Sequence, residues 1–436
     1  MPPRHRILLV QPAWDGLSYR RKIKINERAI HPLALGVVAG LCGPHEVTLI
    51  DEAREEVPLS AQGFDVVGIS VNTFNSHRAY RFADQYRNEH IPVVLGGPHT
   101  ALLPEECLQH ADSIVVGDAE DTWPRVLEDV AERKLEPRYI SSNQNGLLQG
   151  PHRVLFRKTS RYVAYCQLSR GCSNKCRFCY LQYMPQHAMR LREIGSVVDE
   201  LRGLEQEIIL FVDDNLFCQP DYTKEFLRAL TPLKKRWWIQ APTNIHEDDA
   251  VIPLMAESGC YCVSIGFQTC SNSTNESERI LQNRVEHYSA LVHLLHSQGI
   301  LVDGTFIFGF DTDDRGTFAA TEDLIRTLGL DTYTFYFLTP YPGTPYFAQF
   351  ENEGRILHRD WSRFDWDHVV LRPKQMAPEE LAQGVKELYQ RLDRSYFFQH
   401  GFRNFSLHRR NWRSPALLSL LASTSWSYYH SPILRD

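Results

Sequence analysis

Apolar positions recur along the first third of the chain in a regular rhythm. Five short, continuously apolar runs alternate with stretches that carry apolar residues at helical spacing. The runs are HRILLVQP, HEVTLID, DVVGISV, IPVVLGG and DSIVVGD. Because a continuous apolar run is typical of a strand buried on both faces, we expect a parallel sheet with helices on each side. The pattern therefore predicts a doubly wound α/β domain of about 130 residues.

The ends of the last three of these strands carry small and polar residues. Ligands of doubly wound sheets bind beyond the carboxyl ends of the strands, and glycines there let a ligand approach the backbone closely. The segments are Ser70, Val71 and Asn72 after the third strand, Gly96, Gly97, Pro98 and His99 after the fourth, and Gly117, Asp118, Ala119 and Glu120 after the fifth. We predict that they bind a ligand, and ordinary turn chemistry is the alternative.

The middle of the chain repeats the rhythm with six more strand candidates. They are VAYCQLS, EIILFVDDN, RWWIQAP, YCVSIGFQ, LVDGTFIFGF and TYTFYFLTP, separated by helical stretches. Six βα units over about 175 residues predict a partial (β/α)6 barrel with its active site at the carboxyl ends of the strands. We place the first domain at residues 1–140, a linker at 141–160, the barrel at 161–345 and a small, mostly helical region at 346–436.

Three cysteines follow the first barrel strand in the segment RGCSNKCRFCYL. Cys172, Cys176 and Cys179 have the spacing C-x3-C-x2-C, on a loop at the end of the barrel where catalytic groups are expected. A structural zinc site needs four ligands, with Cys166 or His187 as the fourth, and an ordinary four-iron cluster takes four cysteinates. Three thiolates on one loop leave one iron open, so the spacing favours a cluster that binds substrate or cosubstrate there.

Composition limits the possible partners of these domains, their cellular compartment and the role of their cysteines. The chain has 436 residues, 43% of them hydrophobic, and its net charge of −6 gives no support to a nucleic-acid partner. No apolar run is long enough for a signal peptide or a membrane span, so we expect a cytoplasmic protein with reduced thiols. Its ten cysteines then indicate metal binding or catalysis rather than disulfides. Six scattered ones are interpreted as buried small hydrophobic residues: Cys42, Cys107, Cys218, Cys260, Cys262 and Cys270.

The cysteine spacing after the first strand of a six-fold βα array, with Phe178 just before the third cysteine, resembles the radical S-adenosylmethionine superfamily. The resemblance implies that the three cysteines hold a [4Fe–4S] cluster, that S-adenosylmethionine chelates the open iron, and that its reductive cleavage yields a 5′-deoxyadenosyl radical. It also implies cofactor contacts at three further strand ends. They are Asp213, Asp214 and Asn215 for the methionine amino group, Gly266, Phe267 and Gln268 for ribose and carboxylate, and Gly304, Ile307, Gly309 and Phe310 for adenine. Helix capping is the alternative for the two aspartates.

The domain ahead of the barrel, with HPLALGVVAGL, VVLGGPHTALLPEE and ADSIVVGDAEDTWP, resembles the cobalamin-binding branch of that superfamily. The resemblance covers about residues 5–395, and DGTFIFGFD and LTPYPGTP are similar to hopanoid and bacteriochlorophyll C-methylases. It implies cobalamin contacts at Ser70, Asn72, Gly96, Gly97 and Gly117.

One loop departs from the pattern of many cobalamin domains. They carry D-x-H-x-x-G after the first strand, whereas QPAWDGLSYRRK has Asp15 without a histidine at the required spacing. We therefore expect cobalamin to bind without a histidine lower ligand, and we assign none of His31, His77 and His99 to that role.

The resemblance implies a cobalamin-dependent methyltransferase that acts on an unactivated carbon of a small, hydrophobic biosynthetic intermediate, with flavodoxin or ferredoxin as electron donor. Two alternatives stay open. One is a radical enzyme of the same architecture that catalyses oxidative cyclisation, ring formation, rearrangement or carbon–carbon coupling, since fold does not fix the fate of a substrate radical. The other is a non-catalytic iron–sulfur or cobalamin sensor.

Aromatic residues near the last barrel strand bear on the substrate. Phe335, Phe337, Tyr341 and Trp361 are predicted to line the barrel mouth and to suit a hydrophobic, polycyclic molecule. Core packing is the alternative for the two phenylalanines. The tail from about residue 395 mixes basic, aromatic and Leu-rich segments. We expect it to pack on the catalytic domain, with a peripheral membrane contact as the alternative.

Overall fold

The N-terminal domain is a six-stranded parallel sheet with helices on both faces. The computed structural model describes residues 4–14, 32–143, 147–156, 162–185 and 187–396. The strands are β1 (Arg6–Gln11), β2 (Glu46–Asp51), β3 (Val66–Ser70), β4 (Val93–Gly96), β5 (Ser113–Val116) and β6 (Arg138–Ile140), and the helices are α1 (Leu33–Gly40), α2 (Ser76–Asn88), α3 (Pro98–Leu102), α4 (Pro104–His110) and α5 (Trp123–Ala131). The strand order β2-β1-β3-β4-β5-β6 confirms the doubly wound prediction, and β6 is a short edge strand that the apolar pattern did not indicate.

Strand β1 explains why these runs form a central sheet. Its four interior residues, from Ile7 to Val10, have no exposed surface. Ile7 and Leu9 pack on one face with residues of α1 and α5, whereas Leu8 and Val10 pack on the other face with residues of α2. Each such side chain contributes roughly 1.5–3 kcal/mol of burial free energy. Both faces are therefore apolar, as a continuous run requires.

The second domain is an open, partial barrel. Its strands are β7 (Val163–Cys166), β10 (Ile208–Phe211), β11 (Arg236–Ala241), β12 (Cys260–Gln268), β13 (Leu301–Phe308) and β14 (Thr332–Phe337), and the short strands β8 (Ser169–Arg170) and β9 (Arg190–Leu191) form a separate antiparallel pair. The helices are α6 (Ile194–Arg202), α7 (Pro220–Leu230), α8 (Val251–Glu257), α9 (Asn272–Ser277), α10 (Tyr288–Ser297) and α11 (Gly316–Leu328). Six parallel strands in the order β14-β13-β12-β11-β10-β7 confirm the predicted array.

Strand β14 settles the orientation of its phenylalanines. Phe335 and Phe337 are buried in the layer between strands and helices, and the Phe335 ring lies 4.4 Å from the ring of Tyr389. Side chains alternate along a strand, so the half-buried Tyr336 faces the barrel interior. The prediction that the two phenylalanines line the barrel mouth is therefore wrong, and the core-packing alternative is confirmed.

The C-terminal region contains α12 (Pro345–Asn352) and α13 (Pro378–Tyr396). Between them, Trp361 packs on Phe347 and Phe364 and donates from Nε1 to Oε2 of Glu106 in the N-terminal domain, at 3.2 Å. The prediction that Trp361 lines the barrel mouth is wrong, because its ring is part of a domain contact. Within the described ranges, no helix combines the length and the apolar character needed to cross a bilayer. The basic, aromatic tail from residue 397 lies outside those ranges.

Candidate active site

The three cysteines of the C-x3-C-x2-C segment lie on one loop that leaves the barrel between β8 and β9. We call it the cluster loop. Cys172 and Cys179 are partly exposed, Cys176 is buried, and all three thiols are free. Gly171 begins the loop with φ of +95°, and a Cβ atom there would lie 2.5 Å from the carbonyl oxygen of Ala188 at the other end. The glycine lets the two ends of the loop meet, which a larger residue would prevent.

Asn215 lies directly beside the first cysteine. Its Nδ2 atom is 3.6 Å from Sγ of Cys172. Its Oδ1 atom is buried and has no hydrogen-bond partner. A buried acceptor without a donor costs free energy unless a ligand supplies one. This position can therefore accept a hydrogen bond from a cationic or N–H group bound next to Cys172.

Asp213 and Asp214, at the end of β10, hold the entry to the cluster loop. Asp213 Oδ1 accepts hydrogen bonds from the backbone N–H of Leu168 (3.0 Å) and from the N–H and hydroxyl of Ser169 (2.5 and 2.6 Å). Asp214 Oδ2 accepts from the N–H of Gly171 at 2.8 Å. Burial raises the pKa of Asp213 to about 7, although these donors act in the opposite direction. The helix-capping alternative is wrong for both, and their contact with S-adenosylmethionine stays a prediction.

We expect Asp213→Ala to lower the free energy of unfolding by roughly 3 kcal/mol, because it leaves three buried donors without an acceptor. Asp213→Asn keeps an acceptor and should cost less. The pKa of Asp213 is about 7 in the folded state and 3.8 in an unperturbed aspartate, so the folded state binds this proton more tightly. The contribution of Asp213 to the free energy of unfolding therefore falls as pH rises from 3.8 towards about 7. Denaturant titrations at several pH values measure both effects, with exposed Asp221→Ala as the control. Equal stability of the Asp213→Ala and wild-type proteins would contradict a stabilising role for the hydrogen bonds that Asp213 accepts from Leu168 and Ser169.

Two arginines at the ends of the cluster loop form ion pairs with the N-terminal domain. Arg170 Nη1 lies 3.2 Å from Asp118 Oδ1 and 3.1 Å from Glu120 Oε2. Arg190 Nε lies 2.6 Å from Asp118 Oδ2. Asp118 and Arg190 are each 5% exposed, so these ion pairs are weakly screened. We call this set of four residues the interdomain clamp.

The sequence did not predict the interdomain clamp. The clamp changes the interpretation of the loop after β5, which was expected to bind a ligand. Asp118 and Glu120 follow β5 in a segment predicted to bind a ligand, whereas the structure pairs Asp118 with Arg170 and Arg190, and Glu120 with Arg170. Arg170 stands two residues before Cys172. Arg190 lies opposite Arg170 in the antiparallel pair of strands β8 and β9. The motif R-G-C offered a weak signal for Arg170. Arg190 had none, because its partner lies far away in the sequence.

The predicted cobalamin residues lie on adjacent loops at one edge of the first sheet. Ser70, Asn72, Gly96 and Gly97 are partly exposed there, and Gly117 is exposed. Gly97 has φ of +113°, and a Cβ atom on it would lie 2.6 Å from the carbonyl oxygen of Val71. The two loops thus pack backbone against backbone at this edge. Direct contact with cobalamin stays a prediction for all five residues.

Of the three histidines considered as cobalt ligands, two make side-chain contacts within the protein. His99 is fully buried; its Nδ1 lies 3.1 Å from the hydroxyl of Thr73 and its Nε2 lies 3.4 Å from Glu106 Oε1. His77 is exposed and pairs with Asp360. His31 and Asp15 lie outside the described residues. These contacts agree with leaving His77 and His99 unassigned, and the absence of a histidine lower ligand stays a prediction.

The other residues predicted to contact S-adenosylmethionine differ in where they lie: some are at the barrel end that carries the cluster loop, and others are packed in the core. Gln268 and Gly309 stand at the ends of β12 and β13, both with positive φ (+63° and +110°), and Ile307 is partly exposed on β13. These three lie at the same barrel end as the cluster loop. Gly266 lies at the β12 bulge beside Gln268. Three members of the set are packed in apolar surroundings instead: Phe267, Gly304 and Phe310. Whether any of them contacts S-adenosylmethionine stays a prediction.

The remaining cysteines mostly follow expectation. Cys42, Cys107, Cys260 and Cys262 are buried, as predicted. Cys218 and Cys270 are partly exposed, so that interpretation is wrong for them. The Sγ atom of Cys218 accepts a hydrogen bond from the hydroxyl of Ser173, at 3.1 Å, on the cluster loop itself.

The two residues weighed as a fourth ligand lie in different surroundings. Cys166 is buried on β7, where its thiol lies 4.0 Å from both Glu200 Oε1 and Arg192 Nη1. His187 is exposed. Neither position favours a tetrahedral zinc site.

A row of aromatic rings connects the two domains. Trp14, after β1, lies 4.9 Å from Phe74, after β3, and Phe74 lies 5.8 Å from Trp366. Trp366 lies 6.1 Å from Tyr341, which lies 4.9 Å from Tyr180, the residue after Cys179. We call these five rings the aromatic wall. Tyr341 is buried among these rings, and its role in lining the barrel mouth stays a prediction.

Comparison with known proteins gives two matching domain models. The B12 binding domain matches residues 27–127, and the Radical SAM superfamily matches residues 166–325. The chain is 31% identical over 405 residues to bacteriochlorophyllide d C-12(1)-methyltransferase of Chlorobaculum tepidum, covering 88% of this chain and 86% of that protein.

The chain belongs to the cobalamin-binding radical S-adenosylmethionine enzymes. It is also 23% identical to the anaerobic magnesium-protoporphyrin IX monomethyl ester cyclase of Rubrivivax gelatinosus, over 85% of this chain and 72% of that protein. Its fold matches radical S-adenosylmethionine methyltransferase TsrM of Kitasatospora setae, solved with cobalamin and a [4Fe–4S] cluster, with a TM-score of 0.67 over 89% of both chains and 16% identity. The two matched domain models make the chain a radical S-adenosylmethionine enzyme, which uses an iron–sulfur cluster and S-adenosylmethionine, with a domain that binds cobalamin.

The residues of this enzyme fit those three groups. Cys172, Cys176 and Cys179 supply three thiols on one loop, which leaves one iron of a four-iron cluster for an outside ligand. The orphaned Oδ1 of Asn215 beside Cys172 suits an ammonium donor. Gly96, Gly97 and Gly117 leave backbone accessible at one edge of the first sheet, which suits a large ligand that lies against the backbone.

Proposed function

We propose that this enzyme transfers a methyl group to an unactivated carbon of a small, hydrophobic tetrapyrrole. One observation carries the proposal: the interdomain clamp. In the clamp, Asp118 pairs with Arg170 and Arg190 at the base of the cluster loop. Asp118 lies on the loop after β5, at the edge of the first sheet where cobalamin is predicted to bind. A methyl transfer of this kind needs both cofactors to reach one carbon, and the clamp favours a shared cleft.

The substrate class is supported by the aromatic wall and by the relatives. The five rings from Trp14 to Tyr180 form an aromatic lining that would favour a conjugated molecule, because offset and edge contacts between rings are favourable. Two relatives are named for the tetrapyrroles on which they act, a bacteriochlorophyllide and a magnesium protoporphyrin. A flat macrocycle of that class suits this surface better than a flexible chain does.

The chain's own residues then have separate tasks. When bound, the cluster with S-adenosylmethionine supplies the radical that removes a hydrogen atom, and cobalamin supplies the methyl group. The three thiolates hold the cluster, and Asn215 orients the methionine amino group. Asp213 and Asp214 fix the loop on which the thiolates lie. The aromatic wall excludes water and sets the plane of the substrate.

The test is product analysis after anaerobic reconstitution with iron, sulfide, cobalamin, S-adenosylmethionine and a strong reductant. With magnesium protoporphyrin present, we expect 5′-deoxyadenosine and S-adenosylhomocysteine to rise together, and a methylated porphyrin to appear by mass spectrometry. Deoxyadenosine with an oxidised or cyclised porphyrin would overturn methyl transfer and favour the cyclase alternative. Methylation of another hydrophobic acceptor, with porphyrins inert, would overturn the substrate class alone.

A further inference from the structure

A short segment from Asp365 to His368 closes the end of the last barrel strand. The carbonyl oxygen of Trp366 accepts a hydrogen bond from the N–H of Phe337, the last residue of β14, at 2.8 Å. Trp366 has φ of +68°, a left-handed conformation that bulky residues rarely adopt. Backbone held in this way clusters at ligand sites, where the surrounding structure maintains it. The ring so placed is the middle member of the aromatic wall.

His368 in this segment has a fixed ring. Its Nδ1 atom lies 2.9 and 3.0 Å from the two carboxylate oxygens of Asp365. Asp365 is 1% exposed and is itself held by the backbone N–H of Asp367 at 3.1 Å. The His368 side chain is a quarter exposed, and within the described ranges its Nε2 atom makes no hydrogen bond. One ring nitrogen is therefore anchored and the other remains available.

A carboxylate on one imidazole nitrogen is the usual support of a histidine that binds a metal through the other nitrogen. The same pair also suits proton transfer. In the proposed reaction, however, hydrogen leaves the substrate carbon as an atom, so that carbon needs no base. The arrangement is thus more useful for binding than for acid–base chemistry.

We propose that His368 binds the central metal ion of a metallated tetrapyrrole that lies against Trp366. This inference rests on the proposed function and makes it more specific. Asp365 orients the imidazole and increases its basicity towards the metal. The consequence is selectivity: the enzyme distinguishes a metal-loaded macrocycle from the same macrocycle without metal.

The experiment is an optical titration of the full-length, reconstituted enzyme with magnesium protoporphyrin, zinc protoporphyrin and metal-free protoporphyrin. We expect the metalloporphyrins to show the band shift of axial nitrogen coordination and to bind at least tenfold more tightly than the metal-free ring. His368→Ala should abolish the shift and the difference in affinity, and should leave metal-free binding unchanged. His358→Ala, a nearby partly exposed histidine, is the matched control and should behave like the wild-type enzyme.

Each outcome bears on one of the two proposals. Equal binding of all three porphyrins, or an axial shift that persists in His368→Ala, would overturn the histidine ligand while the tetrapyrrole class stands. Loss of the shift in Asp367→Asn but not in His368→Ala would also overturn it, since the ligand would then be an oxygen. If no porphyrin binds, the substrate class itself falls.

Discussion

Replacement of Cys172, Cys176 or Cys179 by alanine is expected to reduce 5′-deoxyadenosine formation by more than about 100-fold. Each change removes one of only three thiolates that the cluster loop provides, and even loss of a supporting residue behind a metal ligand costs about 10–100-fold. The measurement is quantification of deoxyadenosine after anaerobic reconstitution, together with iron and sulfide content and the electron paramagnetic resonance signal of the reduced cluster. Cleavage retained in any of the three variants would contradict the assignment.

Two other cysteines provide matched controls. Cys166→Ala should keep a reducible cluster, because that thiol is buried on β7 beside Glu200 and Arg192. Cys218→Ala is the stricter control, since its thiol accepts a hydrogen bond from Ser173 on the cluster loop. We expect both variants to cleave S-adenosylmethionine. Loss of the iron signal in either one would mean that a fourth thiolate takes part.

The parts of this fold that could be predicted are those where a local pattern has one physical cause. Residues 7–10 are apolar without interruption because both faces of β1 are covered. The cysteine spacing indicated a cluster because three thiols on one loop serve few other purposes. In both cases the information lies within a few neighbouring residues, so the sequence pattern was sufficient.

What could not be predicted depends on contacts between distant segments. In β14 an aromatic run gives no sign of which face turns inwards, so the sequence predicts Phe335 at the barrel mouth, whereas in the structure Tyr336 faces the interior. Asp213 was recognisable as a strand-end carboxylate, but its partners Leu168 and Ser169 belong to another βα unit. The clamp between Asp118 and Arg190 likewise arises only when two domains meet.

Substitutions in the interdomain clamp are expected to have the second large effect. They should change the coupling between the two cofactor sites and leave assembly of the cluster intact. Asp118→Asn keeps the side-chain shape and removes the charge that Arg170 and Arg190 share. Arg190→Lys keeps a charge but cannot make the two-point contact of a guanidinium. The cysteines are untouched, so we expect normal iron content and a normal reduced-cluster signal. We expect the ratio of deoxyadenosine to methylated product to rise about tenfold, because a 1 Å misplacement of reacting groups costs up to about 10²-fold.

A merely structural role for the clamp predicts something different. Breaking a buried ion pair costs about 3–5 kcal/mol, and a loss of stability alone would lower both products in proportion. The ratio separates the two cases, since only a shift between the cofactor sites lets radicals form without methyl transfer. Asp199→Asn removes an exposed ion pair with Arg202 on the outer surface of the barrel and is the matched control. If Asp118→Asn and Asp199→Asn give the same product ratio, the clamp holds the domains together without setting the distance between their cofactors.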